Sequence, residues 1–224
     1  MRRPKWSSPL VSALLFSTAV SVGLFVMGAM FYDESQYWYL NWNLFLAWLP
    51  LLLAWWLSKY LKKHSWQNWQ ALLLTLLWLG FLPNSFYILS DIMHMQTDFI
   101  TNPLYTTVMM VSFSLNGLIL GFMSLYIIHK QLLKRIKKVN AHIIIASVLL
   151  LCSFAIYLGR YLRWNTWDVL INPAGLLFDV SDRITNPVAH PQTLTTTVIF
   201  FALLDSVYAV IWQAISTIRS QTHE

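Results

Sequence analysis

The chain has 224 residues, of which 57% are hydrophobic and only 11% are charged, and its formal net charge at pH 7 is +6. Several apolar runs reach about 20 residues, the length that crosses roughly 30 Å of hydrocarbon, so the composition excludes an ordinary soluble domain. The positive charge gives no support for a nucleic-acid partner, because the basic residues lie between the apolar runs and act as a topology signal. We therefore predict an all-α, multi-pass protein that is embedded in a lipid bilayer.

Six spans are predicted along the chain, at about 10–32, 41–60, 68–90, 104–128, 142–163 and 193–215. The first span follows three basic residues, as in a secretion signal, but it is longer than a signal peptide's apolar region of about 7 to 15 residues. We expect it to stay attached as an anchor. Because no soluble domain, linker or internal repeat interrupts the spans, residues 1–224 are predicted to form one membrane domain, a six-span transmembrane helical bundle.

Basic residues are distributed unevenly between the two sides of this predicted bundle. Twelve of the fifteen Lys and Arg residues fall at the termini and in the second and fourth loops, while seven of the nine acidic residues fall on the other side. Loops rich in Lys and Arg stay in the cytoplasm. We therefore expect both termini in the cytoplasm and the protein in the cytoplasmic membrane of the cell.

The longest loop, residues 164–192, lies on the extracytoplasmic side in this topology. It is not a plain hydrophilic connector, since the apolar stretches Val169–Ile171 and Gly175–Phe178 stand on either side of Asn172 and Pro173. This composition predicts short interfacial helices that lie on the membrane surface. A lid over a site is the alternative interpretation.

The fourth span carries a ridge of small residues, formed by Ser114, Gly117, Gly121 and Ser124. Such a ridge lets a neighbouring helix approach closely. We expect the ridge to serve packing within the bundle and not dimerisation, because a bundle of six spans has many internal interfaces to fill.

Polar and ionisable residues recur along one face of the third span. Asn84, Tyr87, Asp91, His94 and Asp98 stand at i, i+3, i+7, i+10 and i+14 in a segment that is otherwise apolar enough to cross a bilayer. Residues of this kind are costly in hydrocarbon and commonly functional. The stripe therefore predicts the face at which the protein acts.

A second stripe occupies the extracytoplasmic end of the fifth span. Its members are Tyr157, Arg160, Trp164 and either Trp167 or Asp168. We expect the two stripes to face each other, with Arg160 or Arg163 neutralising Asp91, because unpaired charges that face lipid are costly. Two interpretations stay open, a structural ion-pair network and a functional pocket.

A metal site is one hypothesis for the first stripe, because Asp91 and His94 at i and i+3 share a helix face. Oxygen and imidazole ligands of this kind suit zinc or manganese. Further ligands could come from Asp98, Asp179, Asp182 and His190. No established metal-binding motif accompanies the pair, so the metal, like any cofactor, stays unassigned.

Without a metal, Asp91 and His94 are predicted as a catalytic pair, with one side chain acting as general base and the carboxylate orienting it. Arg160 and Arg163 would receive an anionic group such as phosphate. The predicted ligand-binding residues are Asn84, Tyr87, Tyr157, Arg160, Arg163, Trp164 and Asp168.

Three segments carry a resemblance to a known family, namely Asn43–Pro50, Phe81–His94 and Tyr157–Asp168. They are similar to the signature blocks of the bacterial membrane proteins catalogued as domain of unknown function 1361, and the resemblance covers essentially the whole chain. Ser90 stands where the family commonly has Thr, which keeps the hydroxyl. The resemblance implies a bacterial multi-pass membrane protein and brings no biochemical activity with it.

Three classes of function fit these residues. The first is a site at the extracytoplasmic face that binds or modifies an anionic amphiphile such as a lipid-linked substrate. The second is a non-catalytic accessory or scaffold protein of the cell envelope. The third is a small-solute transporter, which has the least support, because only Asn116 and Asp205 stand at mid-depth. We expect these two residues to hydrogen-bond each other, or Asp205 to bond another residue of the bundle.

Overall fold

The computed structural model describes residues 8–96 and 102–221 of the chain. Within these ranges the chain forms eight α-helices and two 3-10 helices and no strand, which confirms the predicted all-α class. The α-helices are α1 Ser8–Phe31, α2 Tyr39–Tyr60, α3 Trp69–Tyr87, α4 Pro103–Leu132, α5 Lys138–Tyr161, α6 Asp168–Ile171, α7 Pro173–Thr185 and α8 Pro191–Gln221. The 3-10 helices are Glu34–Trp38, between α1 and α2, and Ile88–Gln96, directly after α3.

Six of these helices, α1 to α5 and α8, are long and apolar enough to cross a membrane. They coincide with the six predicted spans, so the chain is a multi-pass membrane protein. The helix α4 is the most buried of the six, while α1 and α8 lie at the periphery of the bundle and are the least buried. The helices α2, α3 and α4 pack against one another, α1 packs on α4, and α8 packs chiefly on α5.

The third span departs from its prediction at the end, where the α-helix stops at Tyr87 and a 3-10 helix continues to Gln96. The Ser90 hydroxyl donates to the Tyr87 carbonyl oxygen at 2.6 Å. This bond satisfies one of the carbonyl groups that an α-helix leaves open at its end. The consequence is a change of helical period just before Asp91, from 3.6 to about 3 residues per turn.

The small-residue ridge of α4 lies against α3, as predicted for packing within the bundle. The backbone approaches so closely that a Cβ atom on Gly117 would lie 2.5 Å from the Ser85 carbonyl oxygen. At the ends of the ridge, Ser114 donates to the Ile88 carbonyl at 3.3 Å, and Ser124 accepts from the Trp78 indole at 2.7 Å. The ridge therefore packs α4 against α3, the helix that carries the first two residues of the polar stripe.

The predicted pair of Asn116 and Asp205 is not formed. The Asn116 amide donates to the Ser21 hydroxyl at 2.8 Å and to the Ser112 carbonyl at 3.0 Å, and so ties α1 to α4. Asp205 is half-buried on α8 and makes no hydrogen bond or ion pair with any residue that the structure describes. The two residues do not pair because α1 packs on α4, whereas α8 packs chiefly on α5.

We expect the substitution Asp205→Leu to leave the stability of the purified protein unchanged or to raise it. An aspartate at the centre of a membrane helix costs about 2.5–3.5 kcal/mol on the insertion scale, and here no described partner offsets that cost. Thermal unfolding in a mild detergent measures the effect. As a matched control, Asn116→Leu removes the bond to Ser21 and should cost about 1 kcal/mol. A clear loss of stability in Asp205→Leu would contradict the absence of a bonded partner.

Candidate functional site

A buried ion pair joins the two predicted stripes. The Arg160 Nη2 atom lies 2.5 Å from the Asp91 Oδ1 atom, and the two side chains are only 10% and 3% exposed. The second carboxylate oxygen of Asp91 accepts from the Asn43 amide at 2.8 Å. The prediction that Arg160 or Arg163 neutralises Asp91 is confirmed for Arg160. The pair connects α5 to the 3-10 helix after α3, and Asn43 adds α2 to the same contact.

Ser90 completes this cluster, and sequence reasoning did not assign it to the site. Its hydroxyl accepts from Arg160 Nε at 3.1 Å and from Arg160 Nη2 at 2.6 Å. The same hydroxyl donates to the Tyr87 carbonyl, so both its hydrogen and its oxygen are used. The guanidinium is therefore held by a carboxylate and a neutral hydroxyl at once, and its orientation is fixed.

The Tyr87 ring covers the guanidinium from another side. The Arg160 Cζ atom lies 4.5 Å from the centre of this ring, which is a cation–π distance. Tyr87 reaches this position because Gly159 has no side chain, since a Cβ atom there would lie 2.9 Å from the ring. Tyr87, Asp91 and Arg160, all predicted site residues, therefore meet in one cluster.

The end of α5 places Arg163 in an unusual backbone conformation. The Trp164 N–H donates to the Leu158 carbonyl at 3.2 Å, and Arg163 between them has φ 60°, in the left-handed region. Helices commonly end in this way, but with glycine at the left-handed position. The Arg163 side chain is exposed and makes no hydrogen bond or ion pair within residues 8–96 and 102–221. Arg163 is thus an exposed charged residue three positions after Arg160, and it is a residue type that this backbone conformation disfavours.

The loop after α5 is fastened to the bundle by polar side chains. The Asn84 amide donates to the Thr166 hydroxyl at 3.0 Å, which joins α3 to the loop. The Trp164 indole donates to Asp179 at 2.7 Å, which joins the loop to α7. The Asp168 carboxylate accepts from the Asn165 N–H at 2.6 Å within the loop itself. Asn84 and Trp164, which were predicted to bind a ligand, thus link the loop to α3 and α7, while Asp168 bonds within the loop.

Comparison with known families identifies the chain. The family model described as "Protein of unknown function (DUF1361)" matches residues 42–207, about three-quarters of the sequence. The chain belongs to this family. No curated protein and no solved structure matches it. The DUF1361 region contains the whole polar cluster, from Asn43 on α2 to the end of α5, and excludes α1.

One predicted ligand-binding residue of the DUF1361 region lies apart from the polar contacts. Tyr157 is buried, and its ring stacks on Tyr161 of the same helix with the ring centres 5.2 Å apart. It also faces Phe154, with the ring centres 6.3 Å apart. These aromatic contacts lie within α5, so its predicted role in binding stays a prediction.

The other candidate metal ligands of the DUF1361 region pair with each other in α7 and the following turn. His190 lies 2.7 Å from Asp182, and Arg183 lies 3.1 Å from both Asp179 and Asp182. Hydrogen bonds from Asn186 and His190 hold the pKa of Asp182 below its usual value. Among the described residues no three His, Cys, Asp or Glu side chains gather closely enough to hold a metal ion. The side chain of His94 and all of Asp98 lie outside the described part of the chain.

Proposed function

We propose that this protein binds the anionic head group of a membrane amphiphile at the end of the bundle where α3 and α5 finish. The observation that carries the proposal is Arg163, an exposed residue that adopts a left-handed backbone conformation three residues after the buried Arg160. Asp91 already neutralises Arg160. Arg163 is therefore the arginine that contacts the ligand, and Arg160 supports the site.

The backbone of Arg163 is the reason to assign a function to this side chain. A non-glycine residue in the left-handed region costs about 1–2 kcal/mol. Such strain persists where the surroundings fix it, and it clusters at ligand-binding sites. A guanidinium binds phosphate or carboxylate through two parallel hydrogen bonds, which suits an anionic head group.

The neighbouring helices α6 and α7 are the reason to expect an amphiphile and not a soluble anion. Their large apolar side chains point away from the bundle, and five of them are more than two-thirds exposed: Leu170, Ile171, Leu177, Phe178 and Ile184. The Trp164–Asp179 bond holds this apolar surface close to Arg163. A ligand that carries both a charge and a hydrocarbon tail would contact both features.

The contacts of Asp91 support binding more than catalysis by this carboxylate. Both oxygens of the Asp91 carboxylate accept hydrogen bonds, one from Arg160 and one from Asn43. A carboxylate that is engaged in this way is poorly placed to take up a proton or to orient a base. The catalytic assignment of the two residues stays a prediction.

A scaffold role in the cell envelope is the second candidate function, and the bonded network around Asp91 and Arg160 favours it. Buried ion pairs with complete hydrogen bonding also occur as purely structural links. The two candidates differ at Arg163, because a structural network has no use for an exposed guanidinium on a strained backbone.

Binding of farnesyl phosphate by the detergent-solubilised protein tests the proposal, with farnesol as the neutral ligand of the same tail. We expect native mass spectrometry to show tighter binding of the phosphate. Arg163→Gln should weaken that binding about tenfold, because a charge-assisted hydrogen bond contributes about 1.5–3 kcal/mol. Binding of farnesol should stay unchanged.

The substitution Arg163→Gly separates a binding role from a structural one. It relieves about 1–2 kcal/mol of backbone strain against about 0.5–1 kcal/mol for the greater freedom of glycine in the unfolded chain. The glycine variant should therefore bind farnesyl phosphate as weakly as the glutamine variant while it melts at the same temperature as wild type or slightly higher. Wild-type affinity in both variants would contradict the proposal and favour the scaffold role.

We also propose that the protein lies in the cytoplasmic membrane of a bacterium, with both termini in the cytoplasm and the site on the opposite side. The asymmetry of the basic residues supports this orientation. In a Cys152→Ala background, a cysteine at Val188 should react with a membrane-impermeant maleimide in intact cells, and a cysteine at Lys134 should not. Labelling at Lys134 with protection at Val188 would invert the topology.

A further inference from the structure

A second apolar feature lies on the lipid-facing side of α2 and α3, far along both helices from the ion pair. It is a groove of about 380 Å³ between the two helices. Its walls are apolar side chains, among them Leu52, Leu53, Trp55, Trp56, Leu77 and Phe81. An apolar cavity of about 150 Å³ already admits a benzene molecule, so the groove has room for a hydrocarbon chain.

The groove covers about two-thirds of the depth of one leaflet, which is about 15 Å. On α2 it runs from Leu49 to Trp56, about 10 Å at 1.5 Å per residue, and it ends one turn before Tyr60, the last residue of the helix. On α3 it is bounded by Leu77 and Phe81, which lie in the middle of the helix. The groove thus extends from the bilayer centre towards the membrane surface at which α2 ends and α3 begins.

A lysine stands at the surface end of the groove. The Lys59 Nζ atom lies 3.4 Å from the centre of the Trp55 ring, which also forms the wall of the groove. Lys59 forms no ion pair with the described residues, and residues 35–90 contain no Asp or Glu at all. The ammonium group is therefore available to an anion that comes from the lipid.

Further positive charge surrounds this end of the groove. Lys62 and Lys63 are exposed in the loop between α2 and α3. Arg135 donates to the Leu61 carbonyl at 2.8 Å and brings a fourth cation to the same loop. Clusters of basic residues at a membrane surface attract anionic lipids, with about 1 kcal/mol for each Lys or Arg.

We propose that this groove binds one acyl chain of an anionic phospholipid, with the phosphate of its head group at Lys59. The inference does not depend on the function proposed for Arg163, because the two sites lie at opposite ends of α2 and α3. The apolar walls select a hydrocarbon chain, and the lysines select the charge of the head group.

Lipid binding to the delipidated protein in dodecyl maltoside tests the proposal. The probes are palmitoyl-oleoyl phosphatidylglycerol, which is anionic, and phosphatidylcholine with the same two chains, and native mass spectrometry counts the lipids that stay bound. We expect the wild type to hold phosphatidylglycerol more tightly. Lys59→Gln should weaken that binding about fivefold and should weaken the binding of phosphatidylcholine less, because the choline group already offsets the charge of its phosphate. Lys138→Gln removes a positive charge at the start of α5 and should change the binding of neither lipid.

A second pair of variants tests the groove itself. Leu77→Trp fills it and should abolish the binding of both lipids, whereas Leu76→Trp, at the adjacent and more exposed position, should not. Arg163→Gln should leave this binding intact, which separates the result from that of the other site. Equal affinity for the two lipids, equal binding in Lys59→Gln and Lys138→Gln, or equal binding in the two tryptophan variants would each overturn the proposal.

Discussion

Replacing Asp91 by alanine should lower the free energy of unfolding by about 3–5 kcal/mol, because it leaves the Arg160 guanidinium buried without its carboxylate. The Asp91 side chain is only 3% exposed, so water cannot replace the lost partner without a rearrangement of the bundle. Unfolding by denaturant or heat in a mild detergent measures the loss. The folded yield of the variant should fall in parallel.

A double-mutant cycle shows whether the loss belongs to the pair. Arg160→Met alone should be strongly destabilising for the same reason, but Asp91→Ala combined with Arg160→Met should cost much less than the sum of the two. Asn43→Ala serves as a control that removes one hydrogen bond to the carboxylate without removing a charge, and it should cost about 1.5–3 kcal/mol. Additive losses for the two charged residues would show that the pair carries no coupling energy.

The substitution Gly117→Leu should prevent α3 and α4 from packing and should abolish the folded protein. A Cβ atom on Gly117 would already lie 2.5 Å from the Ser85 carbonyl oxygen, which belongs to rigid helix backbone. Even Gly117→Ala should cost about 1–3 kcal/mol, as overpacking does in other cores. Thermal unfolding and the yield of monodisperse protein after solubilisation are the measurements.

Gly23 on α1 provides the matched control for this prediction. Nothing lies within 4 Å of a Cβ atom built on Gly23, so Gly23→Ala should be neutral or stabilising by up to about 1 kcal/mol, the helix propensity of alanine over glycine. If both alanine variants melted at the wild-type temperature, the close approach of α3 and α4 would be wrong.

The spans could be predicted because length and apolarity determine them directly. The pairing of Asp91 with Arg160 could also be predicted, since a charge in hydrocarbon needs a partner and the chain offers few. Ser90 and Asn43 were missed because a neutral polar residue in a helix commonly bonds its own backbone. The stripe was derived by assuming 3.6 residues per turn throughout the span. That assumption cannot detect the change to a 3-10 helix after Tyr87, which places Ser90 next to the guanidinium.

The failure of the Asn116–Asp205 prediction has a different physical cause. Counting residues from a span's end gives the depth of a side chain in the bilayer, but it does not give the direction in which the side chain points. The conformation of Arg163 was missed for a third reason. Glycine is the usual signal for a left-handed helix end, and the sequence has an arginine there.

The two tryptophans inside the spans show which part of a contact can be predicted from the sequence. Most of the tryptophans lie near the ends of the predicted spans, but Trp48 and Trp78 lie well inside. The Trp48 indole donates to Thr18 at 3.2 Å, and the Trp78 indole donates to Ser124 at 2.7 Å. The need of each indole for an acceptor is general, whereas the identity of the acceptor depends on which helices are neighbours.

The order of the packed helices has a consequence for biosynthesis. The tightly packed helices α2, α3 and α4 follow one another in the sequence, and α8 rests chiefly on α5. Domains generally fold from the N-terminus as the chain emerges from the ribosome. The central part of the bundle can therefore assemble in the membrane while α5 and α8 are still being translated. The last helix then docks onto a finished surface, which makes the C-terminus the natural place to attach a reporter or an affinity tag.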